Sequence, residues 1–210
     1  MKELIIKTIR GFILLTTTSL AIAGCTKDAN KNLAPETLSN GIISNSGAVP
    51  VSSTCGAIPF DLQVPDGNKL ALQTYASGVQ IYQVRRNVVD SNIYEWVNIA
   101  PVATVYSKPD FTNAVALHYK GPSWEFTKGV FKGDKVVASK WKGVTVDATA
   151  IPWLILKVVD SLSSPGNKIT YIQRVCTTAG LPPSTPASAS NFGDIDSIAY
   201  TANYFFYIKD

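Results

Sequence analysis

The only histidine of the chain, His118, stands a few residues before Trp124 and Glu125 in the stretch ALHYKGPSWEF. Histidine and carboxylate side chains are the commonest general acids and bases, so this stretch is where catalytic chemistry would be expected. Cleavage of a glycosidic bond needs two carboxylates that flank the bond, and Asp147 or Glu95 would have to join Glu125. The sequence brings neither of them to Glu125. A carbohydrate-active or other hydrolase that uses Glu125 with His118 is therefore kept as the alternative hypothesis.

The sequence gives little support for other catalytic or cofactor sites. The segment GPSWE begins like a G-x-S-x-G nucleophile elbow, but Glu125 stands where the second glycine is needed. A single histidine excludes His-rich zinc and copper sites, and Asp194 and Asp196 suggest a calcium site only weakly. The chain contains neither a dinucleotide-binding fingerprint nor a P-loop. We therefore expect no metal and no cofactor.

Two cations interrupt apolar runs that read as strands. Lys157 alternates with apolar residues in PWLILKVV, and Arg174 does so in TYIQRV. Such a side chain can reach solvent at a sheet edge, pair with a glutamate in a buried network, or line a pocket for an anionic or polar ligand. All three alternatives remain open. The residues expected in a ligand site are His118, Trp124, Glu125, Lys157 and Arg174, with the tryptophan as a wall.

Composition bounds the class of protein. The chain has 210 residues, of which 46% are hydrophobic and 16% are charged, enough for one domain with a sizeable core. The formal net charge is +4, and residues 1–24 contribute three basic residues and one acidic residue, a net of +2. The remaining +2 forms no basic stripe, so we expect no nucleic-acid partner.

The first 24 residues resemble a bacterial lipoprotein signal peptide. Basic residues precede an apolar stretch that is too short to span a bilayer, and the letters IAGC at positions 22–25 are similar to a lipobox. We expect cleavage before Cys25, acylation of its sulfur, and an outer-membrane lipoprotein of the cell envelope. Lys27-Asp28 is similar to the charged tags that direct some lipoproteins to the cell surface. An ordinary secretory peptide cut near Ala23 is the alternative.

Residues 25–54 have the composition of a flexible tether, rich in Asn, Ser, Ala, Gly and Pro and without an aromatic residue. Once Cys25 is assigned to lipid, Cys55 and Cys176 remain as an even pair in an oxidising compartment. A disulfide between them would join the beginning of the domain to a late strand. Two buried free thiols are the alternative.

From Lys69 onward the hydrophobic pattern has a period of two, which is typical of strands. No stretch of ten or more residues shows a helical stripe, and turn residues, among them Ser77-Gly78, separate the strands. We therefore expect one all-β domain over residues 55–210, an antiparallel β-sandwich or barrel, with few or no helices. The proline-rich segment 181–191 is expected to be an exposed loop before the last strand.

The strand FTNAVALHY bears on the orientation of the histidine. Alternation places Val115, Leu117 and Tyr119 on its apolar face. His118 falls on the opposite face together with small residues such as Ala116. We therefore expect His118 to point away from the main core, to a place where solvent, another strand or a ligand can approach.

Several longer motifs occur in a familiar order. They are VPDGNKLALQTYASGVQIYQV, HYKGPSWE, AIPWLILKV, TYIQRV and YTANYFFY. Together they resemble domain-of-unknown-function family 3455, a family of secreted bacterial and fungal proteins, over about Ile58 to Tyr207. The resemblance implies a single extracytoplasmic all-β domain and no established activity. The family often has asparagine where Cys176 stands and a cysteine in the loop that here reads PPSTPASASNFG.

The sequence thus leads to two hypotheses of different classes. The leading one is a lipid-anchored, non-catalytic module that binds a polysaccharide or a small polar ligand or serves a structural role. Its only expected membrane contact is the lipid on Cys25. The alternative is the hydrolase that acts through Glu125 and His118. The two differ in whether titratable groups converge in one open cleft.

Overall fold

The computed structural model describes residues 55–164, 166 and 168–210. Eight strands and two short 3₁₀ helices make up its regular structure. The strands are β1 Asn68–Arg86, β2 Tyr94–Tyr106, β3 Ala114–Tyr119, β4 Ser123–Phe126, β5 Lys135–Val144, β6 Trp153–Leu162, β7 Ile169–Ala179 and β8 Ile195–Lys209. The 3₁₀ helices are Phe60–Leu62 and Ala189–Asn191. In this part of the chain no helix is long and apolar enough to cross a membrane.

The strands form one closed antiparallel barrel in which each strand pairs with its neighbours in sequence. The ring closes where β1 pairs with β8 over nearly the whole length of both strands, from Asn68 opposite Lys209 to Gln83 opposite Ile195. Closure leaves no unpaired sheet edge, which protects so long a set of strands from edge-to-edge association. The prediction of an all-β, barrel-like domain is confirmed.

The barrel interior is filled by large aromatic residues towards one end. Rings follow one another from Phe131 to Phe126 at 5.3 Å and from Phe126 to Phe206 at 5.1 Å between centroids. Trp124 continues the series, with its centroid 6.1 Å from that of Phe206. The ring of Tyr204 follows, with its centroid 5.3 Å from that of Trp124. Edge-to-face pairs of this kind add stability beyond the area that they bury. This end of the interior is therefore closely packed.

A second apolar layer covers the outer face of β6, β7 and β8. The segment before β1 lies on these strands and places Leu62 among Trp153, Ile155 and Phe205. A buried amide supports the layer, because Gln173 donates from Nε2 to the Leu62 carbonyl at 2.6 Å and accepts from a tyrosine hydroxyl. The layer explains why β6 to β8 are apolar on both faces.

A disulfide fixes the beginning of this layer. Cys55 and Cys176 are bonded, with Cα atoms 5.3 Å apart, so the predicted pair is confirmed. Cys176 has a positive φ of 52° and lies where the pairing of β7 with β8 shifts register between Val175 and Thr178. This irregularity turns Cys176 outward, although Ile172 and Arg174 on the same strand face the interior.

One prediction about a strand boundary is wrong. Ser77-Gly78 is not a turn, because both residues pair with β2 and with β8 in the middle of β1. A Cβ at position 78 would collide with the backbone of β2, so glycine serves close packing between strands there. The segment SWEF, where Glu125 already argues against a nucleophile elbow, is strand β4.

The expected orientation of β3 is also wrong. Leu117 is 48% exposed on the outside of the barrel, and His118 is 3% exposed and faces the interior. The pairing of β2 with β3 shifts register between Val105 and Tyr106, near the beginning of β3. If the alternation of the residues before this irregularity is continued through it, the residues that follow are assigned to the wrong face.

Candidate functional site

A cavity of about 390 Å³ occupies the end of the barrel opposite the closely packed phenylalanines. Each of the eight strands contributes at least one residue to its lining. Its polar lining consists of Gln80 on β1, Asn98 on β2, His118 on β3, Lys140 on β5, Arg174 on β7, Tyr204 on β8, and Lys120 in the turn between β3 and β4. Exposed residues such as Asn98 and Lys120 form its rim, so the cavity opens to solvent there.

His118 forms part of the cavity wall in a fixed orientation. Its ring stacks on Trp124 with centroids 4.2 Å apart and an interplanar angle of 12°, and the edge of Tyr204 lies 5.1 Å away. Nδ1 is 2.9 Å from the Ser123 carbonyl oxygen, which can only accept a hydrogen bond. The proton of the neutral ring is therefore on Nδ1. Nε2 has no hydrogen-bond partner among the described residues and can accept a hydrogen bond.

The histidine is uncharged at neutral pH. Burial lowers its pKa from 6.5 to about 4, the Ser123 carbonyl opposes this effect, and the charge of Arg174 adds to it. Burial likewise raises the pKa of Tyr204, and the charge of Arg174 partly offsets that rise. Both rings therefore act as neutral hydrogen-bonding groups, and the guanidinium is the permanent charge within the cavity.

Three buried nitrogen atoms of the lining lack a hydrogen-bond partner within the described part of the chain. They are Gln80 Nε2, Trp124 Nε1 and Arg174 Nε. The same amide of Gln80 accepts from Asn98 at 2.9 Å, and Arg174 donates from Nη2 to the Pro152 carbonyl at 2.8 Å, so both side chains are held in place by other bonds. A buried donor without a partner costs about 1–3 kcal/mol. All three nitrogen atoms belong to side chains that line this cavity.

The charge of the lining has one sign. Arg174 lies inside the cavity, and Lys120 and Lys140 lie at its rim, whereas none of the described aspartates and glutamates lines it. The one salt bridge between described residues joins Lys142 to Asp61, so none of these three cations is paired with a carboxylate. An unpaired guanidinium in partly buried surroundings attracts an anion strongly.

The loop between β7 and β8 contacts the open end of the barrel. Its first residue, Gly180, packs against Gln80 and accepts a hydrogen bond from the Tyr82 hydroxyl at 2.6 Å. Further along, Thr185 accepts from Trp96 Nε1 on β2 at 2.8 Å. Leu181 packs against the interior cluster. The loop is thereby held close to the cavity.

The structure brings together three of the five residues expected in a ligand site. His118, Trp124 and Arg174 line the cavity. Arg174 lies where the third of its alternatives, a place in the lining of a pocket, requires it to be. Glu125 is exposed between two buried neighbours on β4 and therefore lies on the outer face, where the Tyr119 hydroxyl donates to it at 2.9 Å. Lys157 is exposed on the outer face of β6 and takes no part in the cavity.

The hydrolase hypothesis loses its geometric basis as a result. Glu125 and His118 project from opposite faces of the barrel wall, so they cannot act on one substrate. The other proposed carboxylates, Glu95 and Asp147, are exposed and bond to Asn87 and to Thr149, respectively. None of these three carboxylates lines the cavity.

No group of three or more His, Cys, Asp or Glu side chains able to hold a metal ion occurs among the described residues. Asp194 and Asp196, the weak calcium candidates, are both exposed near the beginning of β8. Asp196 uses Oδ1 to accept from the backbone N–H of Ser197 at 2.7 Å. The calcium hypothesis gains nothing from this geometry.

Sequence reasoning missed several residues of the cavity. Gln80, Lys120, Lys140 and Tyr204 all line it. Gln80 does carry a signal, because it is a polar residue on the same alternation as Ala76 and Tyr82 within an apolar strand. The two lysines carry none, since an exposed lysine near a turn is the ordinary case.

The comparisons with known proteins agree with the family resemblance. The family model described as Protein of unknown function (DUF3455) matches residues 65–208. No curated protein matches the chain. Among solved structures, the pterocarpan synthase dirigent protein PsPTS1 is similar over 67% of this chain and 96% of that chain, with 11% sequence identity and a TM-score of 0.34. A similarity this low transfers neither a ligand nor an activity.

Proposed function

The chain belongs to the DUF3455 family of proteins of unknown function, and we propose that this member is a non-catalytic binding protein that holds a small organic molecule inside its barrel. The observation that carries this proposal is an open cavity with apolar walls and buried polar side chains, three of which keep a nitrogen atom without a hydrogen-bond partner among the described residues. A structural module has no need for such atoms, since apolar side chains would fill the same space at lower cost. A bound molecule that supplies acceptors removes the cost.

The size of the cavity favours a small ligand over a polysaccharide. Its volume of about 390 Å³ lies within the range of pockets that enclose small molecules. At roughly 30 Å³ per water molecule, it corresponds to about 13 waters, which is room for a molecule of one or two rings. A polymer would need an open groove, and this cavity is bounded by strands on its sides and by aromatic residues at its base.

A ligand screen with cavity-filled variants tests the proposal. The purified protein is incubated with a mixture of one-ring and two-ring compounds, both neutral and charged, and binding is measured by saturation-transfer NMR. Leu154 lines the cavity, so Leu154→Trp fills it. Leu162, which is exposed on the same strand, provides the matched control Leu162→Trp. Ala100→Phe fills the cavity from β2 and serves as a second variant.

We expect a subset of compounds to bind the wild type and the Leu162→Trp control and to lose binding in both filled variants. Circular dichroism and melting curves identify any variant that fails to fold. The proposal is wrong if no compound binds the wild type, or if folded filled variants bind as well as the control does.

We further propose that the barrel is presented at a bacterial membrane by lipid on Cys25. The support is the sequence IAGC at positions 22–25, which lies outside the described residues. Two or three acyl chains would hold the protein stably, whereas one chain would hold it only marginally. In bacterial expression, we expect labelled palmitate to be incorporated into the wild type and not into Cys25→Ala, and only the variant to leave the membrane fraction. Equal labelling of both proteins would contradict this proposal.

A further inference from the structure

The lining of the cavity also indicates the chemical class of its ligand, an inference that rests on the binding function proposed above. We infer that the cavity selects an organic anion, a carboxylate on a flat apolar body, over a neutral molecule of the same shape. Three properties of the lining carry this inference: the polarity of its unpartnered atoms, the sign of its charge, and the nature of its walls.

The unpartnered atoms are all donors. Gln80 Nε2, Trp124 Nε1 and Arg174 Nε each present an N–H group and no acceptor. They belong to cavity-lining residues of β1, β4 and β7, three well-separated strands of the ring. A carboxylate has two oxygen atoms with about four lone-pair sites, which suits several converging donors. A neutral amide or alcohol brings fewer acceptor sites and adds donors of its own.

The sign of the charge agrees with this polarity. Arg174 inside the cavity and Lys120 and Lys140 at its rim are all positive, and the described part of the chain contributes no carboxylate to the lining. Because His118 is neutral, it adds no further charge and offers Nε2 as an acceptor for a hydroxyl or N–H of the ligand. The guanidinium is therefore the group expected to meet the anion, in a planar geometry that matches a carboxylate.

The walls supply a place for an apolar body. Pro101, Leu154 and Leu156 line the cavity together with the stacked rings of His118 and Trp124. An inorganic anion would leave these side chains without contact, whereas a flat ring attached to the carboxylate would cover them. The expected ligand thus combines a flat apolar part with one carboxylate.

A matched pair of compounds tests the inference. 2-Naphthoate and 2-naphthamide share size and shape and differ in charge, and inorganic phosphate provides an anion without an apolar body. Affinities are measured by calorimetry on the wild type, on Arg174→Met and on Lys157→Met. The last variant removes a lysine from the outer face of the barrel, away from the cavity.

We expect the wild type and Lys157→Met to bind the naphthoate about tenfold or more tightly than the naphthamide, because charge-assisted hydrogen bonds are roughly twice as strong as neutral ones. Both proteins should bind phosphate more weakly than either naphthalene compound, because phosphate has no apolar body. In Arg174→Met the preference for the naphthoate should disappear. Because this variant also loses the bond to Pro152 and could unfold, the double variant Lys120→Met/Lys140→Met at the exposed rim provides a second measurement. Its preference for the naphthoate should fall, and added salt should have less effect on its affinity for the naphthoate.

Two other outcomes overturn the inference and separate it from the function on which it rests. Equal affinity of the wild type for naphthoate and naphthamide would contradict charge selection and leave the binding function standing. The same holds if phosphate binds as tightly as the naphthoate, because the apolar body would then be irrelevant. Binding of none of the three probes, in a protein that binds no compound of the mixed screen, would contradict both proposals.

Discussion

The buried histidine makes the stability of the barrel sensitive to mild acid in a way that can be calculated. His118 is 3% exposed, is stacked on Trp124, and lies beside the charge of Arg174 and the ring of Tyr204. Among residues 55–164, 166 and 168–210, no carboxylate lines the cavity to stabilise an imidazolium. Protonation of the folded protein is therefore unfavourable, and the unfolded chain takes up this proton more readily.

The sign and the size of the effect follow from the two pKa values. The pKa is about 4 in the folded protein, against an ordinary value of 6.5. Above pH 6.5 the histidine is neutral in both states and has no effect. Between pH 6.5 and pH 4 only the unfolded chain is protonated, so the free energy of unfolding falls as the pH falls. At 1.36 kcal/mol per pH unit, this range corresponds to a loss of roughly 3 kcal/mol.

Melting curves between pH 7.5 and pH 4.5 of the wild type and of His118→Gln measure this loss. Glutamine can still donate to the Ser123 carbonyl and does not titrate, so subtracting the two curves cancels the contribution of other groups. A loss of roughly 3 kcal/mol corresponds to about 6–12 °C in Tm for a domain of this size, and most of it should appear by pH 4.5. If the wild type and the variant lose stability in parallel, His118 titrates normally, and the account of its burial is refuted.

Three further changes test the packing of the fold. Replacing Cys55 and Cys176 together by serine should lower the free energy of unfolding by at most about 5 kcal/mol, because the disulfide closes a loop over a sequence separation of 121 residues. Chemical unfolding of the oxidised wild type and of the variant measures this loss. Gly78→Ala should lower the free energy of unfolding by about 1–3 kcal/mol, because the added methyl group meets strand backbone. Gly143→Ala should lower it less, because its methyl group meets mainly the flexible ends of side chains. Melting curves of the two variants measure the difference. Gln173→Leu should free the segment before β1 from the barrel wall, so amide hydrogen exchange should rise more in that segment than in β2 and β3. An equal change in exchange in all of these segments would contradict the role of Gln173 in holding the segment.

The strand pattern predicted the fold class well because closure of an antiparallel meander requires little beyond period-two strands joined by turns. What the pattern did not predict is where a turn residue serves another purpose. Ser77-Gly78 has the composition of a turn, yet Gly78 lies within β1 because its missing side chain allows β2 to approach. A single sequence cannot separate these two uses of glycine.

The candidate site was predicted only in part, and the reason is again physical. Which face of a strand looks inward depends on register, and irregularities in the pairing of β3 and of β7 change the parity of the residues that follow. Arg174 precedes the irregularity between Val175 and Thr178 in β7, so it lies on the same face as Ile172, as the alternation predicts. Leu117 follows the irregularity in the pairing of β3, and the prediction that it lies on the interior face is wrong.

The distribution of stability in the barrel supports a ligand-binding role. Each buried donor without a partner costs about 1–3 kcal/mol, and the net stability of a domain is only about 5–15 kcal/mol. The described residues place three such donors around one cavity. The aromatic series at the other end of the barrel, the outer layer on β6 to β8 and the disulfide offset this cost from outside the cavity. A barrel stabilised in this way can retain unpaired donors at a site where a ligand would supply the acceptors.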